Sequence, residues 1–187
     1  HKAMEDMEFY MADGELLCQY PDGSVKPVTD SDTDFIREMV ATIREWYPGA
    51  YNALSECYSR SVNNVPYFHY LMVRRFLKCN FGNLDHTALD IQRTGKFNFE
   101  KVHCPLRGEC RYEGEICGAK FNSRLSAAEV RVMRLVYDGI SNDEIAERLY
   151  ISPHTVKNHI KSVYLKLGIH EKSEFIQYAH NNNLFND

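Results

Sequence analysis

The stretch ISPHTVKNHIKSVYLKLG, residues 151–168, decides how the C-terminal third of this chain folds. Val156, Ile160, Val163 and Leu167 recur at the four- and three-residue steps of an α-helix and form one apolar stripe. Lys157, Asn158 and Lys161 fall on the opposite side, with His154 and His159 near its edges, so that side is basic and rich in hydrogen-bond donors. One side packs; the other is available to a ligand. Ser152 before Pro153 supplies a cap followed by a first-turn proline, and Gly168 ends the helix because a left-handed residue costs glycine little.

Working outward, Ser126-Ala-Ala-Glu129 and Ser141-Asn-Asp-Glu144 read as capping boxes, and Gly139 stands where the first of these helices should end. The spacing predicts helices of about 13, 8 and 15 residues, followed by a fourth from about Lys172 to His180. Only YISP joins the second to the third, a turn short enough to force a steep crossing closed by Ile145, Ala146, Leu149 and Val156. Such a helix-turn-helix places its second helix, here about 153–167, in the DNA major groove, which is about 12 Å wide and admits one α-helix.

The residues Leu125-Ser126, Glu129, Gly139, Ser141-Asn142, Glu144-Ile145-Ala146, Leu149, Ile151-Ser152, Thr155-Val156-Lys157, His159 and Lys166-Leu167-Gly168 carry a resemblance. Over about 122–185 the chain resembles the LuxR-type, or GerE-type, DNA-binding domain. The resemblance implies that Lys157, Asn158 and Lys161 face base edges, and that Asn142, Ser152, Thr155, His159 and Lys166 lie at or near phosphates of double-stranded DNA. It also implies a transcription regulator that pairs as a homodimer, with Phe175, Ile176 and Ala179 on the last helix as a candidate dimer surface and RNA polymerase as a further candidate partner. Core packing of that last helix against residues 127–138 is the competing reading, and a structural imidazole wedged between helices competes for His159. The family often has an apolar residue where Asn158 stands; an amide can donate to and accept from adenine, so a different operator preference is expected.

The N-terminal part reads differently. EFYMADGELLCQYPDGSVKPVT has three short apolar runs broken at Asp13-Gly14 and Pro21-Asp22-Gly23, the signature of hairpin turns. Phe35, Met39, Ile43 and Trp46 then fall at helical steps, ended by Pro48-Gly49. AYNALSECYSRS and VPYFHYLMVRRFLKC read as two more helices, the second apolar nearly all round and therefore central to an N-terminal core. The expected fold is thus mainly α, with a small β-hairpin or meander in an α+β sensory or interaction domain over 1–119 and the four-helix DNA-binding domain over 122–187. No feature of residues 1–100 resembles a phosphoacceptor receiver or an acyl-homoserine-lactone domain.

Cys104, Cys110 and Cys117 form a Cys-x5-Cys-x6-Cys series interrupted by Pro105, Gly108 and Gly114, residues that let a loop fold back on itself. With Cys79, His86 or His103 as a fourth ligand the set would suit zinc, and with Cys79 an iron–sulfur cluster. Redox-active thiols and a reduced loop without cofactor are the other readings, while Cys18 and Cys57 read as small buried apolar residues. A net charge of -4 excludes a nonspecific polycation, and residues 121–187 hold eight Lys plus Arg against eight Asp plus Glu, so any nucleic-acid site must be a local patch. HKAMEDMEFYM at the start is acidic without a long apolar run, and no segment approaches the roughly 18–20 apolar residues of a membrane span, so neither signal peptide nor anchor is expected and the cytoplasm is the expected location. GxGxxG, GxxxxGK[ST], HExxH and GxSxG stretches are absent, so no enzyme is expected. The alternatives to a simple regulator are a redox- or metal-responsive switch with DNA binding as its output, and a sigma-factor-like module that reads promoters.

Overall fold

The computed structural model describes residues 6–81, 90, 97, 99–100, 102–182 and 184–185. It is mainly helical, with one small antiparallel sheet, and divides into two compact units over 1–121 and 122–185. His86 lies outside the described residues.

The first unit opens with the three-stranded meander β1 (Glu8–Ala12), β2 (Glu15–Gln19) and β3 (Val25–Pro27). Asp13 and Gly14 both take positive φ (51° and 78°), the requirement of a two-residue turn whose twist matches the strands, and this sets Ala12 opposite Glu15 and Phe9 opposite Cys18. At the second turn Gly23 supplies the positive φ and the Asp22 carboxylate accepts from the Ser24 amide at 2.8 Å. Alternation along β2 buries Leu16 and Cys18.

Three helices complete the unit: α1 (Thr33–Trp46), α2 (Pro48–Cys57) and α3 (Val65–Asn80). Pro48 does more than end α1. It occupies the first turn of α2, where its missing N–H would have had no partner, so only Tyr47 separates the two helices. Tyr47 is buried among the rings of Phe76, Phe97, Phe99 and Phe121 at centroid separations of 5.2–5.7 Å. Helix α3 packs on α1, α2 and β1, but it is not apolar all round as its sequence suggests. Phe68, Met72, Val73, Phe76 and Leu77 form one buried stripe, and Arg74, Arg75 and Lys78 stay on the other side.

Asn80, the last residue of α3, anchors the loop of cysteines to the core. It is fully buried; its side-chain amide donates to the carbonyls of Phe76 and Ile116, both at 2.9 Å, and its carbonyl oxygen accepts from the Gly118 amide at 2.8 Å. Residues 102–118 form no helix or strand, and this side chain ties their far end to the core beside buried Ile116 and Ala119.

The second unit consists of α4 (Ala127–Tyr137), α5 (Asn142–Leu149), α6 (Pro153–Leu167) and α7 (Lys172–Asn181) around Val132, Met133, Val136, Ile145, Ala146, Val156, Val163, Phe175 and Ala179. Ser126 closes a reciprocal capping box with Glu129. At α5 the Ser141 hydroxyl accepts from the Glu144 amide, but the Glu144 carboxylate is held by Arg148 at 2.8 Å, so only half of the expected box is made there. At Gly139 and Gly168 positive φ lets the next amide reach back to the carbonyls of Leu135 and Tyr164, both at 3.0 Å. No helix among the described residues is long and apolar enough to cross a membrane.

Replacing Asn80 by Leu keeps the volume but leaves the Gly118 N–H and the Ile116 carbonyl without this partner. We expect a loss of about 2–3 kcal/mol. Trp46, the single tryptophan, stacks on Phe121 within this unit, so a urea titration followed by its fluorescence reads the effect directly.

Candidate nucleic-acid interface

Helix α6 has two chemically distinct sides. Val156 and Val163 are fully buried, Ile160 and Leu167 half-buried, and Lys157, Asn158 and Lys161 exposed. His154 is also exposed, whereas His159 is half-buried at the margin. The helix starts at Ser152, whose hydroxyl accepts from the Thr155 amide at 3.0 Å and lies 2.8 Å from the Thr155 hydroxyl. Both side chains expected near phosphates therefore also hold the helix start, Ser152 exposed and Thr155 half-buried. Asn142, in the first turn of α5, lines the same shallow groove as Lys157, Lys161, Tyr164 and Leu165.

The α5–α6 crossing depends on small Ala146 and on Ile145, both buried, and on the backbone of the connecting turn. Tyr150 takes the left-handed conformation at φ 56°, which lets the Ile151 amide bond the Ala146 carbonyl at 3.1 Å. A left-handed non-glycine residue costs roughly 1–2 kcal/mol, and the Tyr150 ring recovers little of it by packing, being 95% exposed. The sequence carries no glycine or asparagine there to signal this conformation. Leu165, a second exposed apolar side chain, lies on the C-terminal half of α6 and was equally silent in the pattern.

Lys166 has a partner that sequence reading missed. Its ammonium lies 2.5 Å from a carboxylate oxygen of Glu129, a side chain on α4 that is only 3% exposed. The same carboxylate accepts from the Ser126 amide at 2.9 Å, so Glu129 caps α4 and anchors the end of α6 at once. Burial pushes its carboxyl upward, but the Lys166 ammonium and the Ser126 donors outweigh burial and hold it down at about 2. Lys166 keeps its side chain about half exposed, with two further N–H donors free of Glu129.

The model for the family described as "Bacterial regulatory proteins, luxR family" (GerE) matches residues 123–179. These residues are a LuxR-family helix-turn-helix domain. Among the relatives of this LuxR-family domain is MalT, an HTH-type transcriptional regulator of Yersinia pestis (strain Pestoides F), 42% identical over 57 residues, or 30% of this chain and 6% of that protein. Another is a provisionally named HTH-type transcriptional regulator of Mycobacterium tuberculosis (strain ATCC 25618 / H37Rv), Rv0890c, 44% identical over 55 residues, again covering 29% of this chain and 6% of the relative. The matched part therefore spans about one-seventeenth of those relatives' length. No solved structure matches the chain.

Outside the LuxR-family domain, the structure brings four cysteines of the sequence series to one place. Cys79 from α3 and Cys104, Cys110 and Cys117 from the loop line one cavity of about 220 Å3, together with His103. The four cysteines are free and half-buried and His103 is exposed, and among the described residues no three His, Cys, Asp or Glu side chains are grouped closely enough to hold a single metal ion. Burial raises the Cys79 thiol, opposed by the Arg75 guanidinium beside it. Cys18 is in the N-terminal core, where burial pushes its thiol up to about 12, and Cys57 is half-buried at the end of α2.

Because the folded Glu129 carboxyl is depressed below its ordinary 4.5, the stabilisation it provides is complete above about pH 4.5 and is lost as pH falls through about 2. The protection factors of the α4 amides of Val132 and Met133, taken relative to the intrinsic exchange rate at each pH, should fall across that window. In Glu129→Gln these protection factors should be lower already at pH 7 and show no further fall attributable to this group.

Proposed function

We propose that the chain is a sequence-specific DNA-binding transcription regulator that acts as a homodimer, with α6 in the major groove. The observation that carries this reading is the exposed Lys157, Asn158 and Lys161 set on one side of a helix whose other side is buried in a LuxR-family domain. Lysines bond guanine O6 and N7, and an amide bonds adenine N6 and N7 in two-point fashion, so three such groups on successive turns read a short run of bases. Asn142, Ser152, Thr155, His159 and Lys166 then serve as phosphate groups at the rim, and the positive end of α6 adds to them.

Equal numbers of basic and acidic residues over 121–187 leave little nonspecific attraction to DNA, and one helix reads only a few base pairs. Two copies supply the missing affinity. On α7, Phe175 and Ala179 are committed to the core, and Ile176, 37% exposed, is left with Lys172, Ser173, Gln177 and His180 on the outer face as the candidate pairing surface. RNA polymerase is the natural further partner of such a regulator, and a cytoplasmic location accords with this role. Residues 1–119 serve as the domain that senses a signal or a partner. The relatives carry the names of regulators, which favours this reading over an enzyme.

Selection of bound sequences from a random DNA pool tests the proposal, and a paired site with half-sites about one helical turn apart, 34–36 Å, is the expected result. In folded Lys157→Ala and Lys161→Ala variants each loss should cost about 1–3 kcal/mol and relax preference at particular positions. Unchanged affinity in both variants, or tight binding of one isolated half-site by a monomer, would contradict it.

A further inference from the structure

Residues 102–118 pose a physical problem independent of DNA binding. An ordered segment of this length without helix or strand is uncommon in a compact unit. Its residues bury little: Leu106 is exposed, and the Ile116 side chain enters the core only at the far end. Short-range turns shape it, with the amides of Arg107, Cys110 and Ile116 reaching the carbonyls of Cys104, Leu106 and Tyr112 at 2.9–3.2 Å, and with Gly108 and Gly114 in the left-handed region. The consequence of those turns is specific. Each of the three loop cysteines is delivered to the cavity that Cys79 reaches from α3.

The surroundings of the sulfurs supply hydrogen-bond donors. Arg75 donates through Nε to Cys79 Sγ at 3.2 Å and through Nη2 to Cys110 Sγ at 3.8 Å, and the Gly114 amide donates to Cys117 Sγ at 3.4 Å. Lys78, Arg107 and Glu113 line the same cavity, with the Arg107 guanidinium 3.6 Å from the Glu113 carboxylate. Sulfur accepts such bonds best as thiolate, the form in which cysteine ligates iron, and a guanidinium can only donate. Four thiolates in one cavity repel one another strongly unless a cation lies among them.

We propose that Cys79, Cys104, Cys110 and Cys117 together bind a four-iron iron–sulfur cluster. A single zinc ion would require sulfurs converging at about 2.3 Å on one centre. The four cysteines line one cavity of about 220 Å3, room for a body that takes one thiolate at each of its iron corners. Arg75 then donates to two ligand sulfurs, a contact that tunes such clusters. Binding is ligand exchange without electron transfer: each Cys Sγ forms a bond to iron as a small thiolate leaves the delivered cluster, and the thiol proton passes to the departing thiolate. The remaining cysteines, Cys18 and Cys57, do not line the cavity and take no part.

The test uses the full chain purified without oxygen, and separately exposed to a four-iron cluster capped by small thiolates as the probe. Broad visible absorption with about four iron and about four acid-labile sulfide per chain is the expected result. Cys79→Ser, Cys104→Ser, Cys110→Ser and Cys117→Ser should each lower iron content at least several-fold, whereas Cys18→Ser and Cys57→Ser should retain it. Arg75→Gln, which removes no ligand, should keep the iron and shift the reduction potential. That shift separates a cluster at this cavity from a folding effect in any serine variant that does not fold. A colourless protein with one zinc per chain, no iron after exposure to the probe, or iron retained equally in the four cavity variants would overturn the proposal. Since none of these readouts involves DNA, its failure leaves the DNA-binding reading untouched, and the converse holds.

Discussion

The LuxR-family domain depends on one buried carboxylate. Glu129 cannot be removed from water without donors to replace its hydration, and the fold supplies them from two places at once: the amide at the start of α4 and the ammonium near the end of α6. Both donors reach the same oxygen, Oε1, while Oε2 is buried without a hydrogen-bond partner among the described residues, and because the donors belong to different helices the pairing ties α4 to α6. The apolar stripe of α6 can then meet Val132, Met133 and Val136 in one register only, and the basic side of α6 is left facing outward. With the Lys166 side chain about half exposed, the pair is a weak source of net stability and acts here to define position.

The first unit is organised by a different polar constraint with a similar logic. Asn80 has one acceptor and two donors on its side-chain amide, and all three are used on backbone groups, two of them in the loop that carries the cysteines. The aromatic core around Tyr47 and Phe76 provides area, but rings slide past one another at small cost. The amide does not. The position of Ile116 and Gly118 relative to α3 is thereby set to within hydrogen-bond tolerance, and the loop closes over a cavity in which Cys79 is already fixed on a rigid helix.

How much of this the sequence disclosed depends on the range of the interaction concerned. Ser126, Ser141, Ser152, Gly139 and Gly168 act within a few residues of themselves, so helix ends and the helix-turn-helix were legible, as were the three strands from Asp13-Gly14 and Gly23. The exposed side of α6 was legible because period alone assigns it. Tyr150 was not, since its left-handed backbone is imposed by the crossing of α5 and α6 and not by its own preference. The partners of Lys166 and Asn80 lie 37 and 36–38 residues away, beyond any local pattern. Helix α3 misled for a related reason: its aromatic residues outside the buried stripe, such as Tyr67 and Tyr70, are amphipathic and sit half in water, which an apolar count does not distinguish from burial.

Lys157 and Lys161 stand one helical turn apart on the same exposed side of α6, with no acidic residue on that helix. Like charges in this relation oppose helix formation by a few tenths of a kcal/mol, a penalty that dissolved ions reduce. In the proposed complex, contacts from the same ammonium groups to DNA would weaken as salt rises. Folding of α6 and its proposed attachment to DNA would therefore respond to ionic strength with opposite signs. The lysine pair holds some electrostatic frustration in the free protein, and a polyanion relieves it by neutralising the charges that create it.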